Sequence, residues 1–581
     1  MSQKTVKIHQ YVEEAPSVYA EKVIQKTIGE IRTFLDELAN GTSNYKSLHN
    51  LTEQVEHQYH GRFLIELIQN AHDALFDIEK QKADEETSED EGRIEVVIAN
   101  DPPFGALYVA NDGSPFTESN FISLSRFGQS DKDPEKHIGN KGIGFRSVLE
   151  VTREPEIFSR KDKKSISFNG FTFRFKPGII QSFEAPIQAL LDGNDNPDLD
   201  LGRPVGLVHW GIGKLQAFRD RCQAMGFEGV ASELRFLSPY LLPEPINDQD
   251  KTPLVRQFEK KGFVTVVRLP FTTEKARDLT LKNVEELNEN TVLFLTKAKS
   301  LWIETPGTKR YVTRKIRPFP EKGDAQEIDI EVIVDETGYV NRKRYWLWEW
   351  LVGGEENSEE AEEIREAVAS LPGKWPKVRK AEVALAVRVG KNPEKGLISI
   401  FLPTEQSSGA ACHLNAPFYG DISRTEVDFA KPFNKLLIEK MAKRSADIVY
   451  RHLARKGIDE ARAILDILVP ISTQEANGKG WFSLIEDEFS ELGLDIKEEP
   501  LLQTSDSWKS VKQASLPPRL DEPRVFTEEL IYKSATFDVI NEGLSARDSQ
   551  IVNLFNFLGI GAEPLVPYSS KIAKKNKKIY E

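Results

Sequence analysis

The segment "FLIELIQNAHDAL", residues 63–75, has the apolar spacing of an amphipathic helix, yet it also carries Glu66, Asn70 and Asp73. At about 100° of turn per residue these three fall within about 60° of one another, on a single stripe. Leu64, Ile68, Ala71 and Leu75 centre on the opposite side. An isolated helix of this kind turns its polar stripe to water. Here Phe63 and Leu67 flank the stripe, which predicts that two carboxylates and an amide look into a lined cavity.

Two further segments bear on that helix. "RIEVVIAN" and "GALYVAND" read as β-strands, apolar and β-branched between turn residues. "VANDGSPF", residues 109–116, then sets Asp112 at a strand end, just before Gly113 and a tight turn. A carboxylate there is placed to accept from an exocyclic amine, although Asn-Asp-Gly is also a common turn. "GNKGIGFRS", residues 139–147, supplies Gly139, Gly142 and Gly144 ahead of a short helix. Glycines let main-chain N–H groups approach phosphate oxygens, and a helix N-terminus adds partial positive charge. The spacing matches neither the Rossmann nor the Walker pattern.

At 581 residues the chain exceeds one hydrophobic core, so several domains are expected. Its 39% apolar and 29% charged residues fit a globular protein and exclude a disordered one. The polar start "MSQKTVKIHQYVEEAPS" and the absence of a long apolar run predict no membrane span. With Cys222 and Cys412 alone there is no disulfide framework or cysteine zinc site, and a cytoplasmic location is expected. The net charge of −14 argues against a wholly basic nucleic-acid binder.

Along the chain, residues 17–38 are predicted helical and "KADEETSEDEG" a solvated loop. "GFTFRFK" and "GFVTVVRLPF" are predicted strands, followed by a helix that includes "NTVLFLTKAKSLWI". Between 310 and 445 strands dominate, in "IDIEVIVD", "KAEVALAVRVG" and "GLISIFLPT". Residues 445–468 look helical, "SLPPRLDEPRV" reads as a linker, and "SSKIAKKNKKIYE" as a frayed lysine-rich tail.

The order "ELIQNAHDA", "NDGSPF", "IGNKGIGF" resembles the GHKL ATPases, the superfamily of gyrase B, the ninety-kilodalton heat-shock chaperone, sensor histidine kinases and MutL. Within it, "GRFLIELIQNAHDAL", "FGQSDK" and "IGNKGIGFRSVLEVT" are similar to the sacsin N-terminal ATPase-like subgroup. The likeness covers about residues 45–520, strongly in 60–150 and loosely beyond. It implies an α+β protein: an N-terminal helical segment at 1–45, a Bergerat-type α/β sandwich at 46–305, a β-rich transducer-like domain at 306–445, and a helical, hairpin-containing region at 446–581.

The resemblance also implies roles. Glu66 is the general base, Asn70 the Mg²⁺ ligand, and Asp73 a support of the ATP pocket. Asp112 reads the adenine amine, with Gly113 and Pro115 shaping the wall. Gly139, Lys141, Gly142, Gly144 and Phe145 belong to the lid over the phosphates, led by "GQSDKD". Thr265 in "FVTVVRLPF" bonds near adenine, although Val264 stands where the family usually has glycine. "HLNAPFYGDISRTEVDF", residues 413–429, is similar to the segment that sends a cation to the γ-phosphate; Arg424 is the candidate, with Lys431 and Lys435 behind it. "PLLQTSDSWKSVKQASLP" resembles a short β-hairpin with Trp508 packed on it.

The function implied is Mg-dependent ATP hydrolysis that closes a nucleotide-gated clamp, through a homodimer, within a multi-protein system that includes antiviral defence. A nuclease or helicase partner, or nucleic acid, is compatible with that reading. A heat-shock-type chaperone, a MutL-like DNA clamp and a non-hydrolysing scaffold are the alternatives.

Overall fold

Ile24, Ile28, Ile31, Leu35 and Leu38 recur every three or four positions along Val18–Asn40 (α1), and all are buried. The Ser17 hydroxyl accepts from Ala20 N–H at the start, and Gly41, at φ +73°, ends the helix. The computed structural model describes residues 17–47, 49–50, 62–76, 92–125, 144–201, 203–208, 211–318, 325–334, 338–354, 358–420, 426–453, 457–472, 478–504, 507–514 and 540–560.

These residues form two compact units. The first holds those up to 285 together with 302–307; the second holds 286–301 and those from 308 onward. α1 shares a core with Phe183, Ile187, Leu190 and Phe218, the last on the helix Ile212–Leu234.

In the first unit the strands are β1 (Arg93–Ala99), β2 (Ala106–Asn111), β3 (Glu156–Ser159), β4 (Phe173–Phe175), β5 (Asp198–Asp200), β6 (Pro204–Gly206), β7 (Pro243–Pro245), β8 (Thr265–Pro270) and, from Trp302 onward, β9 (Ser300–Thr305). Their sheet runs β9-β1-β2-β8-β3-β4-β7, and β5 pairs separately with β6. From β1 to β7 along that order every neighbour is antiparallel. Successive side chains alternate between the two faces. Val97, Tyr108, Ala110, Phe158 and Val266 face Val255, Phe258 and Phe263, in and just after the helix Pro253–Lys261. Ile94, Val96, Leu107, Val109 and Ile157 are buried on the other face, where the helix Phe63–Phe76 (α2) packs against β1 and β2.

The second unit orders its strands β15-β14-β16-β13-β12-β11-β10. They are β10 (Thr308–Pro318), β11 (Gln326–Val334), β12 (Tyr339–Gly353), β13 (Lys380–Val389), β14 (Leu397–Ile400), β15 (Leu402–Ser407) and β16 (Cys412–Asn415). Helices at Pro432–Asp447, Ile458–Leu468, Gly478–Glu491 and Asp548–Phe557 share a core with Trp348, Leu385, Cys412 and Leu414. The hairpin of β17 (Leu502–Gln503) and β18 (Trp508–Lys509) sets Trp508 against that core. The helix expected through 290–303 stops at Leu293, and "SLWIET" is β9. The apolar run before it is short, and alternation in "SLWIET" favours a strand. The predicted linker and the lysine-rich tail lie outside the described residues. No helix among the described residues is long and apolar enough to cross a membrane.

A polar group is sealed within this second unit. The Tyr345 hydroxyl lies 3.1 Å from both Asn290 Oδ1 and Glu394 Oε2, and Lys343 Nζ is 3.0 Å from Glu394 Oε1. His413, on β16, is fully buried beside Tyr345, and burial pushes its pKa from 6.5 down to about 4 despite the pull of Glu394. The folded chain therefore keeps His413 neutral while the unfolded chain protonates it below 6.5. Its contribution is whole above that pH and is lost as pH falls toward 4, by about 3 kcal/mol at most. Denaturant titrations of the wild type between pH 7 and 4.5 should show this loss, and His413→Gln should flatten it.

Candidate functional site

α2 is buried on all sides rather than half exposed. Phe63, Leu64, Leu67, Ile68, Ala71 and Leu75 are buried, and so are Glu66 at 5% and Asp73 at 2% exposure. Asn70 between them is half-buried. The polar stripe therefore faces the interior of the unit, as its apolar flanks predicted. A buried carboxylate is stable there only with partners of matching charge or hydrogen-bonding capacity, and Glu66, Asn70 and Asp73 all take part in such interactions.

The turn after β2 is clamped onto α2. Asn111 Oδ1 accepts from Gly113 N–H at 3.0 Å, which folds the turn back on itself. Ser114 N–H then donates to the Ala74 carbonyl at 2.8 Å. A Cβ on Gly113 would lie 2.6 Å from the carbonyl carbon and oxygen of Ala74, so only glycine fits. The structure thus assigns Gly113 a packing duty, and Pro115 beside it is half-buried.

Three strands end together at this level. Thr265, at the start of β8, lies opposite Asn111 on one side and Ser159 on the other. All three are buried. Ser159 Oγ is 3.2 Å from Thr265 Oγ1 and accepts from Phe116 N–H at 2.9 Å, so it pins the far end of the turn. By strand alternation this row shares the face of Leu107, Val109 and Ile157, the face that α2 covers.

Asp112 points the other way. Its Oδ1 accepts from the N–H groups of Gly92 and Arg93 at 3.1 and 2.9 Å, and its Oδ2 pairs with Arg93 Nε at 3.0 Å. The Arg93 guanidinium lies over the Phe263 ring and donates to the Lys261 carbonyl, on the face of helix Pro253–Lys261. Asp112, expected to read the adenine amine, thus has both its oxygens engaged on the face opposite α2, because one step along a strand reverses the face. Sequence reading missed Asn111 and Ser159. Counting alternate residues back from the turn would have found Asn111, since Val109 and Leu107 belong to the buried apolar set.

Gly144 opens a 3₁₀ turn, Gly144–Glu150, that packs against α2, with Phe145 half-buried and Arg146 and Ser147 buried. Gly139, Lys141 and Gly142 lie outside the described residues, as does Arg424. The flanks of Arg424 are described: Gly420 and Val427 form a β-bridge, and Asn434 bonds Tyr419 N–H and the carbonyls of Tyr419 and Asp428. Lys431 is exposed, and Lys435 pairs with Glu439 at 3.7 Å. Among the described residues no three His, Cys, Asp or Glu side chains gather as a metal cage.

Residues 45–169 match the Sacsin domain family. These residues therefore form a sacsin-type domain. The match takes in α2, β1, β2, the clamped turn, the 3₁₀ turn and β3, and ends before β8 brings Thr265 to the row. No curated protein matches the sequence.

Gly113→Ala should separate the turn from the sacsin-type helix. The forced contact is with backbone, which cannot swing aside, so a loss of about 1–3 kcal/mol is expected in chemical denaturation. Gly211→Ala makes a useful control, because nothing lies near its Cβ position and its φ of −72° suits alanine.

Proposed function

We propose that the sacsin-type domain binds Mg²⁺-ATP between α2 and the strand-end row and hydrolyses it, in a Bergerat-type arrangement. The observation that carries this reading is the burial of Glu66 and Asp73 on the inward stripe of α2, clamped through Gly113 to the row of Asn111, Thr265 and Ser159. A buried acidic stripe facing amides and hydroxyls suits a ligand that brings its own cation. Mg²⁺ prefers a few protein oxygens, with water and phosphate completing its shell, and Asn70 Oδ1 offers one such oxygen. Bound there, the ion supplies neutralisation of phosphate charge.

Glu66 then holds the attacking water and takes its proton as the water oxygen bonds to the γ-phosphorus. The bond to the bridging oxygen breaks, and ADP leaves with inorganic phosphate as the second product. Gly139, Lys141, Gly142, Gly144 and Phe145 close over the phosphates in this scheme, with main-chain N–H groups as donors. Asp73 supports the pocket from α2, and Thr265 from β8. Arg424 provides the cation that stabilises charge on the transferred group. Turnover thereby times a clamp formed by two copies of the chain, with binding energy directed into closure rather than into a small substrate.

Glu66→Gln should keep Mg²⁺-ATP binding and lower phosphate release by 10² or more; unchanged turnover would remove Glu66 from the chemistry. Arg424→Ala should slow turnover with affinity nearly intact, read by pairing calorimetry with single-turnover kinetics. Equal rates would assign the cation elsewhere.

A further inference from the structure

We infer that Asn111, not Asp112, selects the base, and that its amide lets the site accept 6-keto purines as well as 6-amino purines. The inference rests on the nucleotide reading above and deepens it. Two observations carry it. Asp112 spends both carboxylate oxygens on Gly92 and Arg93, away from α2. Asn111 lies opposite Thr265 on the α2 face, buried to 6% exposure.

The orientation of the Asn111 amide follows from chemistry. A backbone N–H only donates, so the atom that receives the Gly113 N–H at 3.0 Å is the oxygen. The Nδ2 group is thereby fixed as a donor, and it makes no hydrogen bond among the described residues. Oδ1 retains a second lone pair. The side chain thus offers one donor and one spare acceptor from a fixed plane.

An exocyclic amine at purine position 6 donates to the spare lone pair of Oδ1, and a keto oxygen there accepts from Nδ2. A carboxylate in the same place has acceptors only. It favours the amine and repels the keto oxygen. Thr265 and Ser159, joined through their hydroxyls, add groups that rotate to donate or accept and so do not restore selection. Base choice at this site therefore turns on one side-chain atom, oxygen or nitrogen, at position 111.

The test is calorimetric titration of Mg²⁺-ATP and Mg²⁺-GTP into the wild type, Asn111→Asp and Asp112→Asn, with circular dichroism to check folding. The wild type should bind both nucleotides within about tenfold. Asn111→Asp is isosteric and keeps the acceptor for Gly113 N–H; it should shift the ATP-to-GTP affinity ratio toward ATP by tenfold or more. Asp112→Asn should leave the ratio unchanged, and Arg93→Gln should do the same if Asp112→Asn fails to fold. A wild type that prefers ATP by a thousandfold, an unmoved ratio in Asn111→Asp, or a shifted ratio in Asp112→Asn or Arg93→Gln would overturn the inference. Binding of neither nucleotide by the wild type would overturn the nucleotide reading, and this inference with it.

Discussion

The contact between Gly113 and Ala74 leaves no room for a single carbon, and the arrangement of the sacsin-type domain depends on it. A helix and a strand end approach so closely only where one lacks a side chain. The close approach brings Ser114 N–H to the Ala74 carbonyl, so the clamp is both steric and hydrogen-bonded. It fixes the rotation of α2 about its own axis relative to β2. Rotation in turn decides where Glu66, Asn70 and Asp73 point, because they share one stripe with the helix that Ala74 belongs to. A turn of ordinary composition in sequence is therefore the element that aims the acidic stripe.

The sheet separates two kinds of polarity by face. On the side of helix Pro253–Lys261, Arg268 pairs with Asp101 at 2.8 Å and Glu156 at 2.9 Å, while the Tyr108 hydroxyl joins Asp101. Burial pushes the Tyr108 phenol up and raises Glu156 despite the neighbouring guanidinium. Arg93 and Asp112 belong to this same side. These charges close upon one another, as buried ions must, and they hold β1, β2, β3 and β8 together. On the α2 side the strand ends carry amide and hydroxyl groups instead, whose hydrogen bonds fix orientation without introducing charge. Charge on one face secures the ladder; on the other the strand ends stay neutral.

The elements were legible where periodicity was strong. α1, α2, β1, β2, β8, β11 and β13 all follow from residue spacing, and the inward turn of the α2 stripe followed from Phe63 and Leu67. The face of Asp112 was not legible, because a motif names residues while a strand assigns directions. Ser159 carried no signal at all: its role comes from β3 lying beside β8, a pairing of residues more than a hundred positions apart. β12 was missed for a related reason. Its "YVNRKRYWLWEWLVG" mixes exposed cations with tryptophans, and Arg344 makes sense only opposite Asp329 on β11. Long-range pairing supplied what local pattern lacked.

Residues beyond 445 are tied to the sheet of the second unit in the same way. Arg547 and Asp466 are both fully buried and pair at 2.7 Å, and Gln550 adds a bond to Asp466 at 3.0 Å. Arg547 also donates to the Lys391 carbonyl at 2.7 Å, in the connection after β13, while Ala411 N–H donates to the Asp466 carbonyl at 2.8 Å. Either charge left alone in that core would cost about 3–5 kcal/mol. The helices at Ile458–Leu468 and Asp548–Phe557 therefore cannot leave the sheet without exposing or stranding an ion. The sequence pattern changes from strands to helix near 445, and the charges that cross that point bind both sides into one core. The strand β16, which leads into the segment of Arg424, is built within that core, so its position is set by residues more than a hundred places further along the chain.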